Sequence, residues 1–511
     1  MIVRNCVIGA GIWVAISVSG CTGVLGISSD PGVVAPTYEC SGSVGVRIAT
    51  DFSYFAKDIG TPYFYGMYDY LRYLNAQGGV RGCSIDIDAQ DNKYSPEAMT
   101  QIVANWKTQP SWRQVTAAFI FGSPPISAVG ADLQVEKKVI VAGTYAGSLA
   151  SPKPVDQAVA YGILNDSFSS ASYSAHKSSP GWPFVFFPAT DHGTAARVAV
   201  YAVWNIAQGR IAFARDTSGM CPDCEEPVAA GAAQVASQNG MSIGRDLDLP
   251  QVPSPSYYEQ AIKPGVTAYF DAEIMQVKST AGAYDPVRWL WCGDGSVSCA
   301  LLAKAVSEVQ AKIDVATDIP NASTWKIRII ANNWGIGEET AELCGEACAP
   351  DPKNNDPSSS PRFYGLFPVP RYGDLQNSAG MSLLQQIHDS FEATDLQKPP
   401  PAPIPPRKAG DFKSVRYVQG YAAAMMWERG MIAAIEAGHT NPTGEDLKNA
   451  LEGFKGVDLK GMTASPISFS PTDHRPQSDE AIYAVVGSGA NLQLQYKTKY
   501  SITPQPGWLG Y

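Results

Sequence analysis

Between Gly45 and Trp106 the chain writes out a β-α-β-α unit with a turn signal at every joint. GVRIATDF is a short apolar strand ending at Asp51. Phe64, Met67, Leu71 and Leu74 then fall at helical spacing, so an apolar period of 2 gives way to one of 3.6. Gly78 and Gly79 can take the left-handed conformation that ends a helix. SIDIDAQD is a second strand. Ser95 and Pro96 then open a second helix as N-cap and first helical residue, with Met99, Ile102, Val103 and Trp106 on its apolar face. A unit of this kind joins parallel strands through covering helices, which commits the chain to an α/β fold with a doubly wound parallel sheet.

Two stretches also carry a resemblance. GMYDYLRYLNAQGGVRG followed by IDIDAQDNKYSPEAM resembles the first unit of the type I periplasmic solute-binding proteins, the branched-chain amino-acid and amide binders of ABC importers. RYVQGYAAAMMWERGMIAAIEAG, then TGEDLKNALEGF, then TASPISFSPTDHRPQSDEAIYAVV is similar to that family's closing helix pair and last crossover. The resemblance implies two doubly wound parallel-sheet lobes joined by three hinge crossovers and closing on a ligand, a motion for which such proteins are the standard example. It divides the chain into a first lobe of residues 44–188 and 369–462 and a second of residues 189–368 and 463–511, with ISFS and AIYAVV crossing into the second lobe.

The N-terminus reads as an address. Arg4 precedes a mostly apolar run from Val7 to Val18, too short to span a bilayer, and Val18-Ser19-Gly20-Cys21 has the form of a lipoprotein cleavage box. This resembles the bacterial lipoprotein signal, with residues 1–20 removed, Cys21 acylated and residues 21–43 a tether. An uncleaved secretory signal or a plain anchor is the other reading. GAGIWV mimics a dinucleotide loop, but no strand precedes it. With 511 residues, 45% hydrophobic and 17% charged, the chain has material for two domains or more. Its net charge is −10 and Lys and Arg are nowhere clustered, so a nucleic-acid partner has no electrostatic footprint. The expected setting is the periplasmic side of a bacterial envelope, membrane-attached through lipid alone. The expected partners of a monomer there are a small-molecule ligand and ABC permease subunits.

Cysteine usage agrees with export. Cys221 with Cys224, Cys292 with Cys299 and Cys344 with Cys348 are close pairs, while Cys40 and Cys83 precede two strands that a doubly wound sheet sets side by side. Four disulfides are expected. A metal site or a redox-active Cys221/Cys224 pair is the alternative, although no His stands at ligand spacing and no thioredoxin-like helix follows.

In open α/β sheets ligands lie beyond the carboxyl ends of the strands. Ser123, Ser127, Thr144, Tyr145 and Ala146 follow the strands TAAFIF and KVIVAG. The resemblance makes such loops the seat of a ligand's polar head, through hydroxyls and helix-start N–H groups suited to a carboxylate or amide; ordinary turn chemistry accounts for the same residues. Thr190 falls at the first crossover, where Thr190 or Asp191 also suits an N-cap. Asp216, Asn333 and Trp334 end strands of the second lobe. The family's amino-acid binders place an acid near the Trp334 position to pair the ligand's ammonium. Trp334 here leaves an ammonium without countercharge, so an amide or an aromatic or apolar carboxylate is expected beside an amino-acid-like ligand, while the aromatic face also suits a cation held face-on.

Residues 151–182, 245–265, 348–361 and 395–412 form long polar or Pro-rich loops, read as outer decoration or as lids. No cofactor or metal is expected. No GxSxG, HExxH or P-loop occurs, and His474, in SPTDHRP, reads as a surface turn, so the chain is not expected to be an enzyme. An envelope lipoprotein using the same fold as a protein-interaction or regulatory module is the competing function.

Overall fold

A computed structural model of the protein describes residues 39–40, 42–152, 155–156, 178–179, 181–207, 209–216, 232, 235–349, 362–374, 380–476 and 479–501. Cys21 and the Cys221/Cys224 pair lie outside them.

The unit that opens the chain forms as its sequence dictates: β1 (Ser43–Thr50), α1 (Lys57–Ala76), β2 (Ser84–Asp91) and α2 (Pro96–Thr108). Ser95 caps α2, its side chain accepting from the Ala98 N–H. Gly78 and Gly79, at φ 94° and 84°, end α1. The alternation continues through β3 (Val115–Ile120), α3 (Ser123–Val135), β4 (Val139–Ala142) and β5 (Val185–Phe186). These strands make an all-parallel sheet in the order β2-β1-β3-β4-β5. The Cys40–Cys83 disulfide, with Cα atoms 5.1 Å apart, ties the approaches to β1 and β2.

The second sheet takes up the chain after α4 (His192–Ile206). Its members are β6 (Arg210–Asp216), β7 (Leu247–Leu249), β8 (Val287–Cys292), β9 (Arg328–Ala331) and β10 (Phe363–Phe367), with α5 (Lys263–Ser279), α6 (Ser296–Val315) and α7 (Glu338–Cys344) between them. The last two strands, β11 (Glu480–Val486) and β12 (Gln493–Tyr500), run antiparallel, giving the order β12-β11-β10-β9-β8-β6-β7. Period-2 burial sends Trp289, Trp291, Ile330 and Leu366 to the α4 face, and Leu290, Cys292, Ile329 and Phe367 to the other.

Between β10 and β11 the chain returns to the first sheet with α8 (Met381–Gln397), α9 (Val415–Glu436) and α10 (Gly444–Glu452). Thr443 and Asp446 form the capping box of α10. Helices α1 and α9 touch backbone to backbone: a methyl group on Gly66 would run into the Tyr417 carbonyl, and one on Gly420 into that of Tyr63. The chain therefore passes between the sheets three times.

Two expectations change. Residues 467–474 stay with the first sheet: the Phe469 ring lies 5.3 Å from Phe186 and 6.1 Å from Phe454, and the crossing comes only near Glu480. His474 is fully buried rather than in a surface turn. Its ring stacks on Phe186 at 3.9 Å, and its Nδ1 and Nε2 meet the Val185 carbonyl at 2.9 Å and the Glu452 carboxylate at 3.1 Å, so burial leaves neither nitrogen unsatisfied. The Pro-rich loop after α8 is likewise anchored. Arg407 is buried between Asp69 (2.6 Å) and Asp395 (2.8 Å), with its guanidinium 4.1 Å from the Tyr65 ring centroid. No helix among the described residues is long and apolar enough to cross a membrane.

Candidate functional site

The carboxyl ends of both sheets face one cavity with about 90 Å³ of room for the centres of water molecules, enough for a small solute. From the first sheet come Phe55, Ala56, Asp58 and Ile59 at the start of α1, Tyr94 after β2, Phe121 to Ser123 after β3, and Gly143 and Thr144 after β4. The second sheet's side supplies His192, Asp216, Gln251, Val252, Gly293 to Ser298 and Trp334.

The aromatic wall follows from local backbone chemistry. Lys93 and Tyr94 both take left-handed φ, 51° and 53°, which non-glycine residues adopt at a cost. The Asp91 and Asn92 side chains support them by accepting from their N–H groups at 3.0 and 2.9 Å. The turn delivers Tyr94 to Phe55 and Phe121, with centroids at 5.6 and 6.0 Å. Gly122, at φ 102°, is needed beside it, because a side chain there would strike the Tyr94 ring.

Trp334 crosses from the second sheet into the first lobe. It stacks on Tyr145 (5.3 Å, 18° between planes) and meets Phe121 and Tyr63 edge-on at 5.5 and 6.1 Å. Arg416, at the start of α9, holds its backbone. The buried guanidinium donates to the carbonyls of Trp334 (3.2 Å), Ile336 (2.8 Å) and Asn333, and pairs with Glu339 at 2.7 Å.

Of the residues singled out from sequence, Ser123, Thr144, Asp216 and Trp334 reach the cavity. The Ser123 and Thr144 hydroxyls are 2.5 Å apart. The other five lie elsewhere. Ser127 is exposed on α3, one turn farther along a helix that leads away from the site. Tyr145 and Ala146 are wholly buried, Tyr145 as the backing of Trp334. Thr190 bonds Glu480, a buried carboxyl at the last crossover that burial pushes up to about 8. Asn333 is buried and gives its carbonyl to Arg416. Asp191 is the N-cap of α4, accepting from the Thr194 N–H at 3.0 Å and its hydroxyl at 2.6 Å.

Sequence reasoning undervalued Asp294. It follows β8 inside the loop closed by the Cys292–Cys299 disulfide, and one oxygen accepts from the Gly295 N–H at 2.7 Å. The other oxygen is buried with no well-formed hydrogen bond among the described residues, the Ser298 hydroxyl being the donor beside the carboxyl. Burial and the neighbouring Asp216 carboxylate push Asp294 up to about 8. Trp334 itself offers an ammonium no countercharge, but three acids, Asp58, Asp216 and Asp294, line the cavity. The loop of residues 245–265, read mainly as decoration, supplies Gln251 and Val252. The Asp216 carboxylate accepts from the Gln251 N–H at 3.3 Å and the Ser298 hydroxyl from the Val252 N–H at 3.0 Å. Cys344 and Cys348 form a third disulfide, away from the cavity lining.

No protein-family model and no curated protein matches the chain. Solved structures do. A substrate-binding protein of an ABC transporter from Aeropyrum pernix aligns with a TM-score of 0.63 at 20% identity, over 91% of this chain and 97% of that one. A branched-chain amino-acid ABC transporter protein from Thermus thermophilus with bound valine aligns at 0.62 and 14%, over 91% and 97%. A solute-binding protein from R. palustris in complex with 4-hydroxybenzoate aligns at 0.60 and 11%, over 92% and 100%. At such identities the likeness is one of fold.

Proposed function

We propose that this chain, which has the type I periplasmic-binding-protein fold, is an extracytoplasmic solute-binding lipoprotein that hands a small organic ligand to the permease of an ABC importer. The observation that carries the reading is the cavity between the two sheets. It is lined from both, roofed by aromatics, and left open rather than filled by the protein's own side chains. Such a concave, mostly apolar site with a few polar groups is what small-molecule binding requires. The solved proteins of similar fold named above are described as ABC transporter components, and two of them hold small organic molecules.

In this reading Ser123, Thr144, Asp216 and Trp334 contact the ligand, joined by Tyr94 and Asp294, and residues 463–476 count with the first lobe. Cys21 carries the lipid on the periplasmic side, and the protein acts as a monomer without catalysis. A thermal-shift screen of amino acids, amides, amines and aromatic acids tests the binding role. A ligand at a hundred times its Kd adds about 2.7 kcal/mol of stability. No stabilisation by any class, with Trp334 variants indifferent, would end the proposal. Cys21→Ser should release the protein from the membrane fraction; unchanged partitioning would remove the lipid anchor.

A further inference from the structure

We infer that the cavity is built for an organic cation, an ammonium or amidinium compound without a carboxylate, held by Asp216 and Asp294 against Tyr94, Phe121 and Trp334. This rests on the solute-binding reading and goes beyond it in naming the charge of the ligand.

Four helices begin at the cavity wall: α1, α3, α4 and α6. A helix start is where an anionic ligand would sit, because its first N–H groups lack partners within the helix. Here an acidic side chain stands ahead of three of these starts and two prolines open the fourth, which disfavours an anion. Ahead of α1, Asp51 accepts from the N–H groups of Ser53, Tyr54 and Ala56 at 3.1, 2.8 and 2.6 Å. Asp191 serves α4 and Asp294 stands before α6. The α3 start carries Pro124 and Pro125, which have no N–H, and the next N–H, of Ile126, already donates to the Gly122 carbonyl.

The charges point the same way. Asp58, Asp216 and Asp294 line the cavity, and its described lining contains no Lys or Arg. His192 cannot stand in for one, since burial pushes its imidazole down to about 4. Asp294 lines the cavity with Ser298 beside it, one of its oxygens is buried without a well-formed hydrogen bond among the described residues, and a donor carrying positive charge satisfies that oxygen best. Tyr94 and Phe121 line the same cavity and offer aromatic surface to a cation, and Trp334, stacked on Tyr145, already has the Arg416 guanidinium 5.4 Å from its ring centroid. The disulfide that closes the Asp294 loop fixes this carboxyl in place before any ligand arrives.

The test uses two matched trios on the mature protein at pH 7: benzylamine, phenylglycine and phenylacetate, then isobutylamine, valine and isovalerate, read by thermal shift and calorimetry. The amine of a trio should bind at least tenfold more tightly than the acid, and no more weakly than the amino acid. Asp294→Asn should weaken the amine tenfold or more. A cation beside Asp294 favours its charged form, so amine binding to the unmodified protein should release close to one proton, seen by repeating the calorimetry in buffers of different ionisation heat. Asp58 and Tyr94 from the first sheet's side and Asp216 and His192 from the second's are the other titratable groups of the lining. An acid that binds as well as its amine, an amino acid that binds where the amine does not, or amine binding without proton release overturns the inference and leaves the solute-binding proposal standing. Binding by none of the six also overturns it, and the broader screen then decides the solute-binding proposal by itself.

Discussion

Replacing Arg416 by Met tests whether the two lobes are latched as described. Arg416 belongs to a helix packed on the first sheet, yet the carbonyls of Asn333, Trp334 and Ile336 and the Glu339 carboxylate all follow β9 of the second. Its side chain is fully buried, and that of Glu339 is 20% exposed. Met matches much of the shape but removes every donor, leaving three carbonyls and a carboxylate short of a partner. Breaking a buried pair in this way costs about 3–5 kcal/mol, and partial exposure of Glu339 places the expectation near 3. Urea unfolding read by tryptophan fluorescence and circular dichroism measures it. Glu339→Gln and the double variant complete a cycle, with an expected coupling of about 1–3 kcal/mol. Arg416→Lys should recover only part of the loss, because an ammonium cannot reproduce the guanidinium fork. A loss under about 1 kcal/mol, or additive single variants, would refute the latch.

Other outcomes follow from the same contacts. Trp334→Ala should lower the stability of the empty protein by about 3 kcal/mol or more, as large buried aromatics do; an unchanged unfolding midpoint would mean that its ring contacts with Tyr63, Phe121 and Tyr145 are not made without ligand. Gly420→Ala should slow or abolish refolding of the soluble protein, since its methyl group meets the Tyr63 carbonyl; a native-like midpoint would deny the close α1–α9 seam. Asp294 and Glu480 have folded-state values raised to about 8, above their unfolded values, so their contribution is complete below about pH 4 and is lost as pH rises through about 8. Denaturant unfolding at pH 5, 7 and 8.5 should show Asp294→Asn flattening that decline; an identical slope would deny the burial of Asp294.

Much of the frame was legible because local chemistry and tertiary position agreed. The Ser95 cap, the Thr443–Asp446 capping box and the Gly78-Gly79 stop sit where the chain must turn, and the β1-to-α2 alternation leaves little choice of sheet. The site was only half legible. Strand ends are recognisable in sequence, but the direction in which a side chain leaves them is not: Thr144 enters the cavity while Tyr145, its neighbour, turns into the core behind Trp334. Ser127 failed because a helix that starts at a site also leads away from it. Asp294 was visible at a strand end, but its partner Asp216 lies far away in sequence, and only the β6–β8 pairing puts the two on one wall. His474 misled because a short polar motif resembles a surface turn, whereas stacking on Phe186 draws the ring inside.

The seam between α1 and α9 also bears on how the molecule is made. Tyr70 and Glu428, hydrogen-bonded at 2.8 Å across it, are 358 residues apart. At roughly 5–20 residues per second of synthesis, α1 waits on the order of tens of seconds for its cover. Wherever the chain folds, this seam cannot close until nearly the whole length is present, so the first lobe completes its packing late.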